Sequence, residues 1–114
     1  MYVNEGGYNT NPSYWKGRVT ELIGWAEILG IYAIVDWHIL NPGNPWDSSY
    51  DQRWDFWGYI SDAHKNRKNV LYEIANEPNN IDWATVASHH VAVIDMIRKI
   101  DPNTVIICGT PRWS

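Results

Sequence analysis

Apolar side chains at Trp15, Val19, Leu22, Ala26 and Leu29 follow a 4-3-4-3 spacing, which lays one stripe along a helix from Pro12 to Leu29. Gly30 follows, where such a helix needs its stop. The pattern then changes. Ile31 to Trp37 is a β-branched, apolar run of strand length, and residues 39–50 are a loop rich in Pro, Gly and Asn. Trp54, Trp57 and Ile60 or Ser61 restore helical spacing between Asp51 and Asn66. A second apolar strand starts at Val70 and runs towards Glu77. Asp82 is placed to cap a third helix reaching about Ile100, with Val86, His90, Val93 or Ile94, and Ile97 facing inward. Thr104 to Cys108 is another short strand, closed by Gly109, and residues 2–8 read as a strand end entering a Gly6-Gly7 turn. Strands alternating with helices predict an α/β fold built of parallel βαβ units with right-handed crossovers.

The strand ends carry the chemistry. Val70-Leu71-Tyr72-Glu73-Ile74-Ala75 runs directly into Asn76-Glu77-Pro78-Asn79. Pro78 cannot donate to a ladder, so the strand must stop where the Glu77 carboxyl appears. The strand from Ile31 ends in Asp36-Trp37-His38. Acid, amide and imidazole groups at the C-terminal ends of two buried strands point to an enzyme site on a parallel sheet.

Composition narrows the field. The 114 residues suit one small domain, without internal repeat or low-complexity tract. Eight Trp and seven Tyr are an unusual load; singly they fit a core, and together they fit a surface where flat rings stack on sugars. A net charge of −4 argues against nucleic acid as a partner, because no cationic cluster exists to release counterions from phosphates. Lys65, Arg67 and Lys68 are the densest basic group and read as a solvated helix end. Cys108 is the single cysteine, so no disulfide can form within the chain. No signal-peptide apolar region follows Met1 and no apolar run approaches the roughly 18 to 20 residues of a bilayer span, so a membrane is not expected as a partner.

Four segments carry a resemblance. They are Tyr2-Val3-Asn4-Glu5-Gly6-Gly7-Tyr8, Ile34-Val35-Asp36-Trp37-His38-Ile39-Leu40, Tyr72-Glu73-Ile74-Ala75-Asn76-Glu77-Pro78-Asn79 and Gly109-Thr110-Pro111-Arg112-Trp113-Ser114. In that order and spacing the chain resembles glycoside hydrolase family 5, most closely its bacterial endoglucanase branch. The resemblance implies a partial catalytic domain over residues 1–114, covering roughly strands two to five of a (β/α)8 TIM barrel, a half-barrel fragment. It implies an endo-β-1,4-glucanase that cleaves with retention, secreted in its parent form although this chain carries no signal peptide.

Residue by residue, the resemblance makes Glu77 the general acid/base and Asn76 the amide that contacts the sugar 2-hydroxyl. His38 and Tyr2 line the subsite at the scissile bond, and Trp113 stacks on sugar rings. No cofactor or metal is implied. Retaining hydrolysis also needs a second carboxylate about 5 to 5.5 Å from the first. In the family this nucleophile lies beyond position 114, and a whole barrel takes about 250 residues. Within the chain, Asp36 and Glu73 read as barrel-interior carboxylates held in ion pairs or hydrogen bonds, with Glu73 about 13 Å below Glu77 at ~3.3 Å per residue. Glu5 is the remaining substitute. His64, His89 and His90 lie on helices and read as structural; His89 and His90, being adjacent, are expected on different helix faces, a poor metal site.

A non-catalytic β-glucan-binding chain is the alternative reading, and a mannanase or xylanase of the same clan a weaker one. Four strands and three helices cannot close a barrel. Ile34, Leu71, Ala75 and Ile106 should therefore lie on an uncovered face, and a homo-oligomer is expected to cover it.

Overall fold

The computed structural model describes residues 3–4 and 6–112. Three helices alternate with three strands: α1 (Pro12–Ile28), β1 (Ala33–Asp36), α2 (Arg53–His64), β2 (Val70–Glu73), α3 (Trp83–Arg98) and β3 (Val105–Ile107). The strands form one parallel sheet in the order β1-β2-β3, with Asp36 paired to Glu73 and Glu73 to Ile107.

Local chemistry sets the helix ends. Asn11 accepts from the Tyr14 N–H at 3.2 Å, and Pro12 supplies a preset φ in the first turn. Gly30 leaves α1 at a φ of +70°, a conformation that glycine adopts without cost. Asp82 caps α3, as expected, by accepting from the Thr85 N–H at 2.9 Å and from its hydroxyl.

The helices cover one face of the sheet. Val35, Val70 and Tyr72 point into that layer and are buried. There Tyr8, Trp37, Phe56, Trp57 and Tyr72 interlock, with successive ring centroids about 5 Å apart. Four other tryptophans (Trp25, Trp46, Trp54 and Trp83) are exposed, so core filling explains only part of the aromatic load.

The opposite face is open. Ile34 and Val105 are more than half exposed, and Leu71, Glu73 and Ile107 are half-buried. Ile106 was expected on this face but lies on the helix side, because it pairs with Tyr72 and packs against the core. Ala75 is also fully buried. Val19 and Ala26 of the α1 stripe face the core as expected, but Ile23 is buried beside them while Leu22 and Leu29 are exposed, so the buried face is rotated at those positions. Leu22 instead walls a groove of about 200 Å³, together with Trp15, Ile34 and Asp36 at the free edge of β1.

The expected turn at Gly6-Gly7 is present, closed by the Gly7 N–H donating to the Asn4 carbonyl at 3.0 Å, while no strand is formed by the described residues before it. Val3 donates one backbone hydrogen bond to the His38 carbonyl at 3.2 Å, and Tyr8–Thr10 forms a 3-10 turn. Past the C-terminal ends of its strands the sheet continues as isolated bonds. Trp37 N–H donates to the Glu73 carbonyl, Ile74 N–H to that of Ile107, and Asn76 N–H to that of Trp37. These bonds bring the segments after β1 and β2 to one end of the molecule.

Candidate active site

Past β2 the chain turns sharply. Glu77 has a φ of +40° and Asn80 a φ of +53°, the left-handed region that costs a non-glycine residue energy. Local bonds hold the turn. Asn79 Nδ2 donates to the Glu77 carbonyl at 3.0 Å, and Asn79 N–H donates to the Gly43 carbonyl at 3.2 Å. Pro78 is buried behind it. The outcome is an exposed Glu77 carboxyl on a backbone pinned from both sides.

The stitch to Gly43 explains a glycine. A Cβ there would lie 2.5 Å from the Asn79 backbone nitrogen, so the two loops approach closely only because position 43 has no side chain. Gly109 is similar: its Cβ would fall 2.6 Å from the Ala75 carbonyl oxygen. Sequence reasoning missed the Gly43–Asn79 contact; the Pro/Gly/Asn character of the loop was its only trace.

Asn76 is 8% exposed and its Nδ2 donates to the Ile39 carbonyl at 3.5 Å, so it lies between Glu77 and the segment after β1. His38 lies on that same segment. Its Nδ1 is 2.6 Å from Asp36 Oδ2, which orients the ring. This bond bears out the reading of Asp36 as a held carboxylate. Glu73, beside Asp36 in register, has its carboxyl pushed up from the ordinary range, first by burial and then by the Asp36 charge, with His38 opposing. The charge of Glu77 adds to that rise, so the four groups share one electrostatic neighbourhood. Tyr2, Trp113 and Glu5 lie outside the described residues.

The other histidines are buried and structural. His64 Nε2 lies 3.1 Å from Thr20 Oγ1. His89 and His90 do not diverge as expected: both are buried, with ring centroids 5.5 Å apart, because Trp46 and Tyr50 pack on one and Trp83 on the other. His90 Nε2 donates to the Gly109 carbonyl at 2.7 Å, which fixes its tautomer. Burial pushes His89 down to about 3, helped by the charge of Arg53. Among the described residues no group of three or more His, Cys, Asp or Glu converges on a point where a metal could bind, and no helix is long and apolar enough to cross a membrane.

Known proteins resemble this chain in sequence and fold. The model of the Cellulase family (glycosyl hydrolase family 5) matches residues 1–114. Endoglucanase E-5 of Thermobifida fusca is 48% identical over the whole chain, and endoglucanase CelA of Streptomyces lividans 45%. The chain spans 24% of the length of each. The crystal structure of the catalytic domain of the Thermobifida fusca endoglucanase Cel5A (E5) superposes with a TM-score of 0.94 at 48% identity, covering 99% of this chain and 37% of that one. A variant of the same domain in complex with cellotetraose superposes equally well.

Proposed function

The chain belongs to the cellulase family, glycosyl hydrolase family 5, and from that premise we propose that it carries the acid/base side of a retaining endo-β-1,4-glucanase. The observation that carries the reading is Glu77, exposed on a strained, doubly anchored turn at the end of β2, with Asn76 beside it. Glu77 donates its proton to the glycosidic oxygen as the C–O bond breaks. A second carboxylate attacks the anomeric carbon and forms a glycosyl ester. Glu77 then takes a proton from the water that attacks the same carbon, which releases the sugar and restores both groups.

Asn76 contacts the sugar 2-hydroxyl in this reading, and His38, oriented by Asp36, lines the cleavage subsite with Tyr2, while Trp113 stacks on a ring. A β-1,4-glucan is favoured over a mannan or xylan because the relatives quoted above are endoglucanases and one neighbour holds cellotetraose. Such a polymer cannot cross a membrane, so the enzyme acts outside the cell.

One specific observation favours the second reading, in which the chain alone binds glucan without cleaving it. Asp36 is engaged by His38, and Glu73 is biased towards its neutral form, so neither is a ready nucleophile. The open sheet face gives this reading a partner, a second copy of the chain that covers Ile34, Leu71 and Val105. Release of reducing sugar from carboxymethyl-cellulose by rigorously purified protein separates the readings. Product formation supports the enzyme; binding without product supports the glucan-binding chain.

A further inference from the structure

Arg53 opens α2 and is almost wholly buried at 3% exposure, yet its nearest carboxylate, Asp51, stands 4.0 Å away and is itself largely exposed. The guanidinium instead lies between two indoles, 5.0 Å from the Trp46 ring centroid and 4.6 Å from that of Trp54. Its Nε and Nη1 have no hydrogen-bond acceptor among the described residues. A buried cation with unused donors is costly, and an apolar side chain would fill the same space more favourably. The two indoles are therefore the principal partners that offset this cost.

What the arginine does is hold two rings still. Trp46 is 41% exposed and Trp54 38%. Trp46 is fixed further by its indole N–H, which donates to Ser88 Oγ at 2.9 Å, and by edge contact with the His89 ring at 5.7 Å. The guanidinium occupies one face of each ring, and both rings remain more than a third exposed. All of these residues come from the β1–α2 loop, α2 and α3, which pack within this chain. The exposed Leu22 differs in this respect, since it lines the groove at the free edge of β1.

We propose that Trp46 and Trp54, bridged by Arg53, form a second carbohydrate-binding position, a platform that stacks on glucosyl rings of a β-1,4-glucan. The proposal rests on the glucan reading above. Flat indoles match the apolar C–H face of an equatorially substituted pyranose, and rings already immobilised lose little conformational freedom on binding. The platform is tied to the strand-end site, because Trp46 lies three residues after Gly43, whose carbonyl accepts from Asn79. A chain lying on both would be gripped at two points along its length.

Titration of the 114-residue protein with cellohexaose, followed by nuclear magnetic resonance, tests this. The readouts are the indole N–H signals of Trp46 and Trp54 and the backbone amides of Asn76 and Glu77. Saturable movement of both sets is expected. In the Trp46→Ala/Trp54→Ala variant, affinity should fall by about two- to tenfold per ring, with Asn76 and Glu77 still responding. Trp46→Phe/Trp54→Phe, which keeps flat rings and protects folding, should retain most of the binding. Movement of Asn76 and Glu77 without Trp46 and Trp54 overturns the platform and leaves the glucan reading standing. If no signal moves, both fail.

Discussion

Alanine placed at Gly43 and at Gly24 is one substitution with two opposite expected signs. At Gly43 the new Cβ would meet the Asn79 backbone nitrogen and Cγ at 2.5 Å and its Nδ2 at 2.6 Å. A side-chain tip could swing away, but the backbone nitrogen cannot, because it belongs to the turn that presents Glu77. Relief requires the two loops to part. That removes the Asn79 N–H···O Gly43 bond and strains the packing around it, for a combined cost of about 2–4 kcal/mol. Against a total stability of roughly 5–15 kcal/mol this is a large fraction. Gly24 lies within α1 with nothing inside 4 Å of its Cβ, so alanine there should stabilise by about 0.5–1 kcal/mol. Urea unfolding followed by tryptophan fluorescence reads both numbers. The amide signals of Glu77 and Asn79 should move in Gly43→Ala and stay in place in Gly24→Ala. A Gly43→Ala protein as stable as the parent, with those signals unmoved, would refute the account of how the turn is held.

Acid should unfold the protein through its buried histidines. His89, pushed down to about 3, and His90 and His64, also lowered by burial, bind fewer protons folded than unfolded. Stability is therefore full above the unfolded histidine value of about 6.5 and falls as pH drops below it, by up to ~1.4 kcal/mol per pH unit for His89. Urea midpoints from pH 7 to pH 4.5 check this, and a His89→Gln variant should show a shallower decline; an equal slope would contradict the assignment. The open sheet face should make the protein self-associate at micromolar concentration by light scattering. Ile34→Lys/Val105→Lys should shift it towards a 13.2 kDa monomer, and a parent that is already a compact monomer would sink the oligomer reading.

How legible the fold was in the sequence depended on how locally each feature is encoded. Asp82 and the α3 stripe were readable because cap and period are properties of one short segment. The rotation of α1 was not, since Leu22 and Ile23 both fit a helical stripe and only contact with the sheet selects Ile23. Ile106 was misplaced for a related reason. Val105-Ile106-Ile107 is apolar throughout, so no alternation marks its faces, and register with Tyr72 decides. His89 and His90 turn inward together because Trp46 and Tyr50, some 40 residues earlier, cover one of them. At the site, Asn76-Glu77-Pro78 announced its carboxyl at a strand end. The strained φ of Glu77 and its support from Gly43 arise only when two strands lie side by side.

The claim that Glu77 is the proton donor is tested most directly by comparing cellohexaose hydrolysis between the purified parent and Glu77→Gln, with an aryl cellobioside of good leaving group measured in parallel. Glutamine keeps the shape of the turn and removes the transferable proton. The account predicts a loss of about 10²- to 10⁴-fold on cellohexaose and a much smaller loss in the bond-breaking step of the activated substrate, whose leaving group needs little protonation. Equal, measurable cellohexaose rates for parent and variant would contradict it.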